Sequence, residues 1–302
     1  MCIRDRHVSI SPSVTPLFTR ERVKAVQDAG VSVMSMSLDG GSAETHDAFR
    51  GFPGTFDRTI EACHMLNELG MRFQLNTVFT AKNIHEAPQM LKNAIDLGAF
   101  MFYTFMLVPT GRGQHLDMLT PHEREDVLHW LHDNSTRIAI KTTEAPQYRR
   151  IAFQREAVRQ GKAAPAKHGE LYHWLTKETH ELLGENIEEP RPPRTPLAIN
   201  SGSGFAFIDH TGDVYPSGFL PIHCGSIKDT PFPQIYRESE VFRALRNPSG
   251  FEGKCGACEF NHFCGGSRST AYAMTGNYLA SDPSCAHIPA GYTGELPEGI
   301  ER

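Results

Sequence analysis

From His7 to about Ala145 short apolar runs alternate with amphipathic stretches that end at glycine, a rhythm that predicts repeated βα units around a parallel sheet. The first helix is expected after Thr19, with Val23, Val26 and Ala29 inward and Gly30 as its stop, followed by a strand over 31–38. A second helix starts near Thr55, carries Phe56, Ile60, Cys63 and Leu66 at helical spacing, and ends at Gly70 before a strand over 71–79. A third starts at Asn83, with Glu86 three residues on as a capping box, and ends at Gly98 before a strand over 99–107. In the fourth, Thr120, Pro121 and Glu123 stand in N-cap, first-turn and capping-box order ahead of Val127, Leu128 and Leu131, and a strand follows over 138–142. Such units close into a full or partial barrel or make an open doubly wound sheet, and both forms place ligands at the C-terminal strand ends.

Beyond these units, 146–161 reads as a polar helix and 188–196 (EEPRPPRTP) as a proline-rich exposed linker that sets the domain boundary. Residues 205–215 read as two short strands around a turn at 210–213, and 233–245 as a helix. At 302 residues the chain exceeds the usual size of one compact domain, which predicts a larger unit with a smaller appendage.

The net charge of −5, with both signs mixed, offers no basic stripe for a nucleic acid or a membrane surface. No apolar run reaches the roughly 18 residues that span a bilayer, and no apolar secretory core stands near the start, so the expected compartment is the cytoplasm. Seven cysteines are present, and Cys255, Cys258, Cys264 and Cys285 crowd into the pattern C-x2-C-x5-C-x20-C, which suits a metal in a reducing compartment better than a disulfide framework. Thiolates separated by two residues grip one centre from a single turn, and Gly256, Gly265 and Gly266 let the backbone wrap it. Four thiolates satisfy Zn²⁺ or a [4Fe–4S] cluster, and spacing does not choose between them. The surrounding segment has few large apolar side chains, so a metal would supply the stability its core lacks.

The stretch Cys255-Gly-Ala-Cys258-Glu-Phe-Asn-His-Phe-Cys264-Gly265-Gly266-Ser267-Arg268, with Ala271-Tyr272-Ala273, Gly276 and Asp282-Pro283-Ser284-Cys285, resembles the SPASM extension of radical S-adenosylmethionine (SAM) enzymes. Ser37-Leu38-Asp39-Gly40, His46-Asp47, Arg50-Gly51 and Gly54-Thr55-Phe56 resemble the fourth strand and loop of the barrel in the same enzymes. With 107–113 (LVPTGRG), the resemblance covers nearly the whole chain. It implies an α/β fold with a partial (β/α) radical SAM barrel over 7–160 that lacks its first strands. A helical and proline-rich linker follows over 161–200, then a small cysteine-rich SPASM or twitch-like domain over 201–302. Residues 1–6 fit no helix or strand period and read as an artefactual start.

The resemblance further implies SAM bound by Ser37, Asp39, Asn76 and Val108, and one auxiliary [4Fe–4S] cluster on Cys255, Cys258, Cys264 and Cys285. Cysteines of the family's first auxiliary cluster are matched here by Ser217 and Arg268, and Cys224 reads as an ordinary thiol. The family's C-x3-C-x2-C loop and Gly-Gly-Glu-Pro motif find no counterpart. The expectation is therefore an N-terminally truncated fragment of a parent that holds a second [4Fe–4S] cluster, and a chain that does not turn over as written. The parent would generate a 5′-deoxyadenosyl radical and abstract hydrogen from a small-molecule or peptide substrate, drawing electrons from a donor such as ferredoxin or flavodoxin.

Lys141, Glu144, Tyr148, Arg149 and Arg150 stand at and just after the end of the expected strand over 138–142 and resemble a segment in radical SAM enzymes of the haem-biosynthesis type. They are candidates for holding a substrate carboxylate, which arginine pairs bidentately. This tilts the expected substrate toward a tetrapyrrole or another small carboxylate. A radical SAM maturase of a ribosomal peptide and a non-catalytic zinc or iron–sulfur scaffold are the alternatives.

Overall fold

Parallel strands cannot be joined by tight turns, so each needs a crossover segment, usually a helix. The computed structural model, which describes residues 7–186 and 199–301, shows that alternation. In chain order come β1 (Val8–Ile10), α1 (Arg20–Asp28), β2 (Val31–Ser37), α2 (Ala43–Arg50), α3 (Thr55–Glu68) and β3 (Phe73–Phe79). Then follow α4 (Ala87–Asp96), β4 (Met101–Met106), α5 (Pro121–Asp133) and β5 (Ala139–Thr143). The strands form one sheet in the order β1-β2-β3-β4-β5, every neighbouring pair parallel. The expected linker over 188–196 lies outside the described residues.

The two faces of this sheet differ in chemistry. Met34, Met36, Phe73, Leu75, Phe79, Phe102 and Met106 are buried, and α1, α3 and α4 pack on the strands. The alternate positions are polar or half-buried: Ser37 pairs in register with Asn76, Asn76 with Tyr103, and Tyr103 with Lys141. Residues in register on parallel strands project to the same side, so these four form one row. A doubly wound sheet is covered on both faces and reads as continuous apolar strands. One apolar and one polar face is the pattern of a partial βα barrel whose inner side receives a ligand.

Local capping explains where several helices begin and corrects one expectation. Thr120 and Glu123 form the expected reciprocal box, Glu123 Oε2 accepting from Thr120 N at 2.8 Å and Thr120 Oγ1 from Glu123 N at 3.2 Å. Asn83 and Glu86 do not: Asn83 Oδ1 accepts from Thr80 N, while Glu86 Oε2 accepts from Gly41 N at 2.6 Å and Ser42 N at 3.1 Å. Glu86 thus ties down the loop after β2 instead of capping its own helix, and Pro88 sits in the first turn of α4, where its missing N–H costs nothing. Ala29, expected inward, is exposed, and Val23 is the buried residue of α1. The expected helix over 233–245 is two, Phe232–Glu238 and Glu240–Leu245, broken where Ser239 turns extended.

Two compact units interleave along the chain. Residues 7–106, 133–143 and 172–186 form the first, and 107–132, 144–171 and 199–301 the second. The first also contains most of α7 (Glu170–Leu183), whose Tyr172 hydroxyl donates to Asp133 Oδ2 at 2.6 Å. The second holds nearly all of α5, α6 (Gln147–Arg159) and a three-stranded antiparallel sheet of β6 (Phe207–Ile208), β7 (Asp213–Tyr215) and β8 (Gly225–Ser226). It continues through the helices just named, α8 and α9, to α10 (Gly253–Ala257) and α11 (Arg268–Thr275). Beside the small sheet its core is slight, with Val214, Ile235 and Phe242 buried together and Cys224 packed partly against them. Among the described residues no helix is long and apolar enough to cross a membrane.

Candidate metal centre and polar strand row

Cys255 lies in α10, Cys258 caps it, Cys264 follows the next turn, and Cys285 returns from beyond α11. All four line one cavity together with Arg150, Lys254 and His287. The fit depends on glycine at position 266, whose φ is +67°. A Cβ there would stand 3.0 Å from Cys255 Sγ and 2.7 Å from Arg268 Nη2, so any side chain would fill the cradle.

Burial pushes the Cys258 thiol up to about 11 and the Cys264 thiol to about 12, and it raises Cys285 as well. Against that, the charge of Arg150 pulls Cys264 and Cys285 down, and Lys254 pulls Cys285 down. Thiols so placed stay protonated at neutral pH until a metal displaces their protons. Their spacing bears on which metal. A single tetrahedral zinc at about 2.3 Å from each sulfur needs sulfurs roughly 3.8 Å apart. Among the described residues no three of the four sulfurs lie within 4.8 Å of one another; the set that does is Cys258, Glu259 and His287. The four-sulfur donor set, its spread and its buried positive neighbours fit a cluster of several irons better than one zinc.

Around this cavity the second unit is stitched by buried polar bonds. Arg150, 2% exposed, is held by Glu125 through paired contacts of 2.8 and 2.6 Å. That commits the guanidinium expected to receive a substrate carboxylate. Glu144 is the one non-glycine residue with positive φ (57°) among the described residues. Its carboxylate accepts from Ser267 Oγ at 2.5 Å, Ser269 Oγ at 3.1 Å and Ser217 Oγ at 3.4 Å, while its backbone oxygen accepts from Arg124. Burial raises the Glu144 carboxyl, and the serine hydroxyls and Arg124 oppose the rise. Glu144 therefore bonds inward, and Ser217 is part of its network. Arg149 Nη1 donates to Ile199 O at 2.8 Å, and the Tyr148 ring lies 6.3 Å from that of His132.

In the first unit the structure brings Ser37, Asn76 and Lys141 into the single row described above. Asn76 Oδ1 accepts from Gln74 Nε2 at 2.9 Å. Lys141 is exposed, its Nζ 4.5 Å from the centroid of the Tyr103 ring, and the Tyr103 hydroxyl bonds Thr143 Oγ1. Asp39 is 1% exposed and committed locally: Oδ1 accepts from Val78 N at 2.8 Å and Oδ2 pairs with Arg50 at 2.5 Å. Burial raises its carboxyl, and the Arg50 charge works against that. Asn83 Nδ2 donates to Asp39 O at 3.0 Å, so this loop is held from both sides. Val108 is buried and belongs to the second unit. Tyr103, Arg124, Glu125, Lys254 and His287 were not singled out from the sequence; the register row and the cavity supply the signal that spacing along the chain lacks.

Residues 1–94 match the model of the Radical SAM superfamily. Over 276 residues the chain is 40% identical to the AdoMet-dependent heme synthase of Methanosarcina barkeri, covering 90% of this chain and 72% of that protein. Over 284 residues it is 38% identical to the AdoMet-dependent heme synthase of Oleidesulfovibrio alaskensis, covering 93% and 67%. The crystal structure of Streptococcus suis SuiB bound to S-adenosylmethionine superposes with a TM-score of 0.59 at 12% identity, over 92% of this chain and 59% of SuiB.

Proposed function

Because the chain belongs to the radical SAM superfamily, whose members use SAM and a [4Fe–4S] cluster, we propose that it acts on a tetrapyrrole or another small molecule bearing carboxylates. We further propose that it carries an auxiliary [4Fe–4S] cluster on Cys255, Cys258, Cys264 and Cys285, in a SPASM-like domain over 201–302. The observation that carries the substrate class is the high identity to two heme synthases along at least 90% of the chain. The polar row supports it. Lys141 offers a positive charge at the end of a row whose other members, Ser37, Asn76 and Tyr103, are neutral donors and acceptors, and the Tyr103 ring beneath it fixes the direction of its stem.

Ser37 and Asn76, neighbours in that row, are the proposed contacts to SAM, with Asp39 and Asn83 holding the loop that follows Ser37. Tyr148 and Arg149 are proposed to meet substrate. Glu144 instead holds the cysteine segment through Ser267 and Ser269, and Arg150 lines the cysteine cavity while paired with Glu125. When bound, the auxiliary cluster supplies a one-electron acceptor or an anchor for the substrate. The cytoplasm supplies the reducing compartment this thiol set needs, and ferredoxin or flavodoxin a suitable electron donor.

Metal analysis and visible spectra of the anaerobically reconstituted chain test the centre. About four irons and four sulfides per chain, lost in Cys258→Ala, are expected; a colourless chain with about one zinc overturns the assignment. Titration with a propionate-bearing metalloporphyrin tests the substrate class. Lys141→Ala is expected to weaken binding about tenfold, about 1.4 kcal/mol, with little effect on the methyl-ester porphyrin. Equal wild-type affinity for acid and ester would refute the carboxylate reading.

A further inference from the structure

Arg268 is fully buried, and a guanidinium remains protonated inside proteins. Such a charge costs several kcal/mol unless an anion compensates it. Among the described residues no carboxylate lies within ion-pair distance of Arg268. Nη1 donates to Ala280 O at 2.8 Å and Tyr278 O at 3.1 Å, Nε to Gly266 O at 3.4 Å, and Nη2 to Cys255 Sγ at 3.5 Å. The Phe251 ring covers one face, 4.5 Å from centroid to Cζ. The fork is thus fixed by three carbonyls and a ring, with Nη2 directed at one cysteine sulfur. Lys254 repeats the pattern: 2% exposed, with Nζ on Cys285 O and no carboxylate partner among the described residues.

Cys255 Sγ also accepts from Asp282 N at 3.3 Å, so two donors converge on it, whereas Cys258 Sγ accepts from Phe260 N at 3.4 Å. Hydrogen bonds to cysteine sulfurs and nearby positive charge favour the reduced, more negative state of an iron–sulfur centre. We infer that Arg268 is a positioning residue for the electron: its guanidinium replaces a missing carboxylate partner with the Cys255 thiolate and thereby raises the reduction potential of the centre the four cysteines hold. This rests on the cluster proposed above. The change concerned is a one-electron reduction, with no bond made or broken, and in the test the electron comes from dithionite through mediators.

The test is an EPR-monitored redox titration of the reconstituted full chain and its Arg268→Gln and Arg268→Lys variants. At the poise that half-reduces the wild type, Arg268→Gln is expected to show a reduced-to-oxidised ratio about tenfold lower, a potential about 59 mV more negative. Arg268→Lys, which keeps the charge, is expected to shift by less than half as much. An Arg268→Gln midpoint equal to wild type overturns the inference while leaving the cluster intact. Should that variant fail to take up iron, pulsed EPR of reduced, ¹⁵N-arginine-labelled wild type and Arg268→Lys decides: an arginine nitrogen coupling present in the wild type and lost in Arg268→Lys is expected, and identical couplings in the two overturn the inference. A wild-type chain holding about one zinc and no iron overturns the cluster reading itself, and this inference with it.

Discussion

His46 makes acid sensitivity of the first unit calculable. It lies in α2, 1% exposed, with Nδ1 accepting from Asp39 N at 2.9 Å and its ring edge-on to Phe56. Burial, helped by the charge of Arg50 and opposed by Asp47, lowers its pKa from 6.5 to about 4. The unfolded chain takes up this proton near 6.5 and the folded site only near 4, so between those values acid favours unfolding. The site is neutral and at full strength above about pH 6.5. Linkage gives a loss of about 2.5 kcal/mol between pH 7.5 and 4.5, roughly a 70-fold fall in the protection factor of the Asp39 amide, whose acceptor is the titrating nitrogen. Histidine-selective NMR should place the His46 midpoint near 4, and hydrogen exchange corrected for intrinsic rates should show the fall at Asp39. In His46→Asn, which keeps an acceptor near the same place but cannot titrate, this part of the pH dependence should vanish. A His46 midpoint near 6.5 in the folded chain, or an Asp39 amide equally protected at both pH values, would refute the reasoning.

Other outcomes follow from the second unit. Arg150→Met strands Glu125 and is expected to cost about 3–5 kcal/mol in urea unfolding, with much of it restored in Arg150→Met/Glu125→Leu; a loss below about 1 kcal/mol in the single variant contradicts the buried pair. Because Arg150 holds the Glu125 carboxyl below its ordinary range, the contribution of that pair is present above the unfolded carboxylate pKa and fades as pH falls through the lowered one. Gly266→Ala forces a Cβ against Cys255 Sγ and Arg268 at a φ of +67°, so iron content per chain is expected to drop by at least half, and an unchanged content would show the cradle to be slack.

The βα alternation was legible because each helix carries its stop and start beside the apolar run: Gly30 and Gly70 end helices, and Thr120 with Glu123 begins one. Asn83 and Glu86 carry the same local signature, yet a partner distant in sequence, the loop at Gly41 and Ser42, takes the Glu86 carboxylate. Ser239 breaks one expected helix through its backbone conformation, which no periodicity announces. The cysteine quartet was legible because its spacing is local for three of the four. Its cationic neighbours were not, since Arg150 precedes Cys255 by 105 positions (255 − 150) and only folding brings both to one cavity. Arg149 and Arg150 look alike in sequence, but Glu125 distinguishes them.

The interleaving of the two units has a consequence for synthesis on the ribosome. Gln147 waits for Asp282, 135 residues later, and Glu144 for Ser269, 125 residues later. At about 5–20 residues per second the first of these waits lasts roughly 7–27 s, far longer than local helices take to form. Throughout that interval α6 and the turn at Glu144 have emerged without their partners, and the groups that will be buried against the cysteine segment face water. No single cut between the units yields a fragment that contains all of its own bonds, and a chain trimmed at one boundary should aggregate more than the whole chain does.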